Sequence, residues 1–308
     1  MNNTAELPSI AGETSLLSKA PWLLYLEQEL VPESLNDFTG VEAKILSLIR
    51  DMLLSIAASN VESIVDNAVQ QIQKCYITNY LKEESPDRQQ TDHGAEGLLH
   101  SVCTFVFDLA SQLPYVDAKH EALALLLVGL KANAPMEFNN QNPQLIYMNG
   151  PLLMVSGEAW NNSHVGDYAG NDRDLKNNCS KSVNVSAFIA RLLNEGMLGA
   201  DGLHWAGRDL MVGLETAEFD SKDQTQVCQA TIAVLYILLA GRLIAQEVRQ
   251  PTVELTHPLT RGRWTIWASR LEDISRAAPD DAEWCLGLEA KKAHKGMVTL
   301  YSEIIHEY

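Results

Sequence analysis

Positive charge is scarce in this chain: Lys and Arg number 23 against 40 Asp and Glu, a formal charge of −17 over 308 residues. Such a surface repels phosphate backbones and anionic lipid leaflets, which argues against nucleic-acid or membrane binding through a basic face. Cysteine is sparse too. Cys75, Cys103, Cys179, Cys228 and Cys285 are odd in number and far apart, and no CxxC or Cys/His cluster suggests zinc. Three of them fall inside apolar helical patterns, the habit of reduced, buried thiols, so a cytoplasmic location is expected. The opening MNNTAELPSIAGETSLLSKAPW lacks the basic start and apolar core of a signal peptide. Also missing are the GxxxxGKS/T phosphate loop, a GxGxxG turn after a strand, the GxSxG elbow and the HExxH zinc pair. No strand-length apolar runs alternate with helices, as a parallel sheet would require.

What the chain does have is helical periodicity, organised around Val227 to Val248, VCQATIAVLYILLAGRLIAQEV. From Ala230 to Ala240 this run is apolar on every side of a helical wheel, relieved only by Thr231 and the Tyr236 hydroxyl. A helix of that kind needs cover all round, from other helices or from lipid. Gly241, Arg242 and Gln246 interrupt the roughly 20 apolar residues that a bilayer span takes, so protein is the expected cover. Around it, apolar residues recur at helical spacing over Trp22–Leu30, Val41–Ala58, Val61–Tyr80, Ala95–Leu113, a segment capped by Asp117, one from Ser182 or Asn184 to Gly196, one opened by Asp201, Arg261–Ala277 and Asp281 to about Ile305. Leu145–Trp160 reads as two short helical pieces kinked at Gly150-Pro151, and Asn161–Ser180 as a long polar loop. The expectation is an all-α fold: a single large helical bundle (residues 21–308) around the central helix, preceded by a loose arm over residues 1–20.

Candidate chemistry gathers in three constellations, each with a packing alternative. His204, Trp205, Arg208 and Asp209 place His204 and Arg208 on one helical face and Trp205 and Asp209 on the adjoining one. Such a set could hydrogen-bond an acidic hydroxyl or carbonyl and stack on a planar ring; equally, Arg208 could pair with a neighbouring carboxylate while Trp205 fills the core. Arg263, Trp264, Trp267 and Arg270 could line a pocket for flat ligands or simply fill space. Tyr147, Trp160, His164 and Tyr168 flank the kinked segment and the polar loop, where a lid would sit, or are ordinary surface aromatics. The nearest approach to the aspartate-rich motif of a magnesium-dependent terpene cyclase, Asp280-Asp281-Ala282-Glu283 after Pro279, reads as an ordinary helix start.

The runs N-V-S-A-F-I-A-R-L (Asn184–Leu192), R-D-L-M-V-G-L-E (Arg208–Glu215) and R-G-R-W-T-I-W (Arg261–Trp267), with an Ala/Lys-rich last helix reaching Met297, resemble a fungal family catalogued as a domain of unknown function. Ile146-Tyr147-Met148 and Ser156–Trp160 stand where that family has Trp-Leu-Pro and Arg-Glu-Trp elements. Relatives occur beside fungal natural-product pathways, and the chain is similar to the hetero-Diels-Alderases of tropolone-sesquiterpenoid biosynthesis. That resemblance implies an apolar polycyclic small-molecule substrate: a hydroxymethyl tropolone is dehydrated to an o-quinone methide, which a humulene-type alkene then captures. No metal or organic cofactor is required by it, and it carries over no catalytic residue.

Chemistry of that kind needs a dry, pre-orienting site, a proton donor for the departing hydroxyl and hydrogen bonds for the quinone-methide oxygen. His204 is the expected donor and Arg208 the oxygen contact, with Asp209 beside them. Trp205, Arg263, Trp264 and Trp267 would wall the site, with Tyr147, Trp160 and Tyr168 toward its mouth. The rival class is a noncatalytic helical binding or scaffold protein. An enzyme predicts a pocket of roughly 300 Å³ or more, lined by aromatics with a few convergent polar groups. A scaffold predicts a filled core and an exposed apolar patch.

Overall fold

A computed structural model of the chain describes residues 20–30, 40–56, 60–81, 94–141, 146–164, 172–215 and 218–301. Among these residues the fold is built from helices alone, so the chain is all-α. In order they are α1 (Pro21–Glu29), α2 (Gly40–Ser55), α3 (Val61–Tyr76), α4 (Gly94–Gln112), α5 (Ala118–Ala132), α6 (Met136–Gln141), α7 (Asn149–Asn162), α8 (Asp172–Asn194), α9 (Gly199–Glu215), α10 (Gln224–Arg249), α11 (Arg261–Ala277) and α12 (Leu286–Leu300). The expected N-terminal arm lies outside the described residues, apart from Ala20.

The apolar run becomes α10, packed along α8, α9 and α12 and touched by α11. Ala230, Ala233, Val234, Tyr236, Ile237, Ala240 and Ile244 are buried around its circumference. By length and composition α10 could cross a bilayer, but 67% of its most apolar window is buried inside the protein. Its start is fixed by Asp223, whose carboxylate accepts from the Thr225 and Gln226 amides at 2.9 and 3.2 Å. The helices α8 and α4 join this group to the N-terminal helices, and one apolar core runs without a break from Trp22 to Tyr301.

Local signals explain most boundaries. Asp117 caps α5 through the Lys119 amide at 2.9 Å. Gly196, at φ 68°, ends α8 with the paired bonds Gly196 N–H to Leu193 and Met197 N–H to Leu192, the left-handed glycine stop. Within α9, Gly213 has another role: a Cβ there would lie 2.4 Å from the Gln229 carbonyl of α10. Only glycine lets the two backbones meet this closely, at a cost of about 1 kcal/mol of helix propensity.

Three stretches differ from the sequence expectation. Residues 149–162 form one helix rather than two kinked pieces, because Pro151 sits in the first turn of α7, where its missing N–H costs no bond. The polar stretch Asn161–Ser180 is not all loop, since α8 already begins at Asp172. Leu175, Cys179, Val183 and Ala187, each four residues apart, form an apolar stripe that packs with Cys228 and Leu235 of α10. The surrounding Asp, Lys and Asn side chains mask that stripe in a linear reading. The last helix also starts later than Asp281, after a 3₁₀ turn in which Trp284 and Cys285 both take positive φ.

Candidate active site

The end of α7 and the middle of α9 meet over α10, and there the polar side chains converge. Asp209 lies on the buried side of α9, 9% exposed, and its Oδ2 accepts the Trp160 indole N–H at 3.0 Å. His164, just past the end of α7, places Nε2 3.7 Å from the other carboxylate oxygen. Arg208 donates to that same His164 nitrogen, while its guanidinium lies 4.9 Å over the Trp160 ring. Trp205 stacks on Trp160 with centroids 5.7 Å apart and planes 25° from parallel. Beneath, Tyr236 of α10 brings a fully buried hydroxyl toward Asp209. Burial first, and the adjacent carboxylate second, raise its pKa well above the ordinary phenol value, so it stays protonated.

The His164 ring is held at both nitrogens. As a neutral ring it donates from Nδ1 to the Asn161 carbonyl, 3.3 Å away, and accepts from Arg208 at Nε2. Trp160, Ser163, His164, Ser186, Asp209 and Gln229 border a cavity of about 40 Å³. That volume admits a few waters or one polar substituent rather than a ring.

The structure brings together Trp160, Trp205, Arg208 and Asp209 from the expected set and adds His164, which the sequence had grouped with the polar loop. His204 points elsewhere: its ring sits 5.7 Å from that of His257, in the segment before α11. The pKa of His257 is lowered by burial and then by the charges of His204, Arg263 and Arg208. Trp264 and Trp267 are completely buried. Trp267 donates to Glu215 at 2.8 Å, and the same oxygen meets Arg263 Nε at 3.1 Å. These three therefore form a packing and ion-pair group apart from the Asp209 cavity. Tyr147 lies edge-on to Tyr76 and Phe138 in the core of the N-terminal helices. Tyr168 lies outside the described residues. Tyr236 escaped the candidate set, although it carries the one phenol in the apolar run, and the run's other hydroxyl, Thr231, donates back to the Val227 carbonyl at 2.8 Å.

Among the described residues no three His, Cys, Asp or Glu side chains gather as metal ligands. Glu283, in the acidic helix start, pairs instead with Lys176 and accepts from Gln224 at 2.7 Å. A larger cavity, about 340 Å³, opens between the ends of α8 and α10 and the start of α9, without an aromatic residue in its lining. The aromatic, several-hundred-Å³ pocket expected of an enzyme that joins two hydrocarbon-rich partners is thus divided: aromatics and polar groups at one place, volume at another.

Fold and site together define an all-α protein with a buried carboxylate, an imidazole and a guanidinium gathered on stacked tryptophans. The chain belongs to the family described as Protein of unknown function (DUF3632), whose model matches residues 104–271 and so includes every member of that cluster. No curated protein and no solved structure matches it significantly.

Proposed function

We propose that the chain is an enzyme that moves protons on a small organic molecule without a cofactor, working at the Asp209–His164–Arg208 cluster. The observation that carries this reading is a buried carboxylate with an imidazole 3.7 Å away and an arginine bonded to that imidazole, all beside a cavity. Groups placed in this way serve general acid–base chemistry.

The reaction implied by the family resemblance is the specific form of the proposal. A hydroxymethyl tropolone would place its alcohol oxygen in the cavity, while its ring stays outside. Imidazolium His164 protonates that oxygen, the C–O bond breaks, and water leaves. Asp209 takes the enolic proton, and the o-quinone methide carbonyl is held by Arg208. Proton return from Asp209 to His164 resets the pair. Capture of the quinone methide by a humulene-type alkene then forms two bonds with no further proton transfer. In this version His164 takes the part that sequence reasoning gave to His204.

The test is to incubate purified protein with both substrates and compare product rate and isomer ratio with a protein-free control. Acceleration with a changed isomer ratio is the expected result. Identical rate and ratio would end the hetero-Diels–Alder form, and acceleration that persists in Asp209→Asn would remove the cluster from the mechanism. The second reading, a noncatalytic helical binding protein, is favoured by the solid packing around Trp264 and Trp267 and by the small volume beside Asp209.

A further inference from the structure

The cavity of about 340 Å³ falls in the size range of small-molecule sites, whereas the one at Asp209 does not. Leu193 closes it from α8, Leu203 from α9, Leu243 from α10 and Val253 from the segment after α10, so its walls are mainly aliphatic. Gly196 and Gly199 leave bare backbone at the rim, where a Cβ would meet no atom within 4 Å. Water against the leucine and valine part of this lining finds few partners, and an apolar body that displaces it gains the area it covers.

One strongly polar group stands in this wall. Glu247 is 5% exposed, and its carboxylate accepts from the Thr252 amide and hydroxyl, each at 2.7 Å, and from the Val253 amide at 3.2 Å. An ionised carboxylate offers about four acceptor positions. Three are taken by neutral donors that tie the outgoing chain to the end of α10, and one remains. From the aliphatic walls, the volume and this remaining acceptor we infer that the cavity is a second ligand site, for a compact hydrocarbon-bodied molecule that carries one hydroxyl or amino donor to Glu247.

The site is separate from the proposed catalytic cluster. Ile232 borders the small cavity and Leu243 the large one, positions on α10 roughly 16 Å apart at the helical rise. Binding here stands or falls without reference to catalysis at Asp209.

Isothermal titration calorimetry with 2-naphthol and 2-methoxynaphthalene, two probes of one shape of which only the first donates, tests the inference on the full chain. The expected result is one saturable site for 2-naphthol, with 2-methoxynaphthalene about tenfold weaker. Ala200→Trp and Gln246→Trp, which fill the cavity from opposite walls at exposed positions, should each weaken 2-naphthol at least tenfold with unchanged circular dichroism. Asp209→Asn should leave its affinity unaltered. Absence of saturable binding up to millimolar probe, equal affinity for the two probes, or full binding in both tryptophan variants would each overturn the assignment.

Discussion

Two pairs of tryptophans, similar in the sequence, have opposite surroundings in the fold. Trp264 and Trp267 of α11 are sealed at 0% exposure, and the charges nearest Trp267, Glu215 and Arg263, neutralise each other. Trp160 and Trp205 are nearly as buried, yet one of them holds a carboxylate by its N–H while a guanidinium covers its face and an imidazole stands at its edge, 4.4 Å between centroids. Aromatic spacing on a helix therefore says little about function. What separates a packing pair from a candidate site is whether ionisable groups from another element converge on it with partners they can exchange.

The comparison is most open to attack through stability. Trp264→Ala should lower the unfolding free energy by about 3–5 kcal/mol in urea titrations, since it empties a fully enclosed volume. A small loss would mean that α11 is not the packing region described. A pH series adds a second stability measurement that leaves the cluster untouched. Burial lowers the pKa of His120 from 6.5 to about 4. Between those values the unfolded chain binds a proton that the folded one does not, so stability should fall as pH drops from about 6.5 toward 4, by about 3 kcal/mol in total. In His120→Gln that component of the slope should vanish.

At the other pair the expected sign is reversed: chemistry suffers and folding does not. Asp209→Asn keeps an acceptor for the Trp160 N–H, so turnover should drop about 10²-fold or more while stability changes by less than about 1 kcal/mol. His164→Ala should lose a comparable factor, and His204→Ala close to none; equal losses would return His204 to the mechanism. The contact between helices is tested by stability alone. Gly213→Ala forces a Cβ to within 2.4 Å of the Gln229 carbonyl and should cost about 1–3 kcal/mol by thermal unfolding.

The fold was largely legible in the sequence because its signals are local. The all-round apolar run, the Asp117 cap and the Gly196 stop are each read within a turn or two of chain. The start of α8 was hidden because its apolar stripe, Leu175 to Ala187, is one residue wide among polar neighbours. The site was legible only by residue type. Spacing placed His204 with Arg208, but α9 turns His204 toward His257, and the imidazole that reaches Asp209 comes from beyond α7. Tyr236 reaches it from α10. Partners supplied by separate helices leave no periodicity to read.

The two glycines of α9 that abut another segment's backbone bracket Asp209. Gly207 presses on the His257 carbonyl and Gly213 on that of Gln229, and a Cβ at either position would come within 2.4 Å of it. The helix that carries the carboxylate is thus gripped fore and aft by main chain, with no slack to slide or roll. A methyl group added at either glycine would have to push one of these main chains aside, and the helix that carries Asp209 would shift with it.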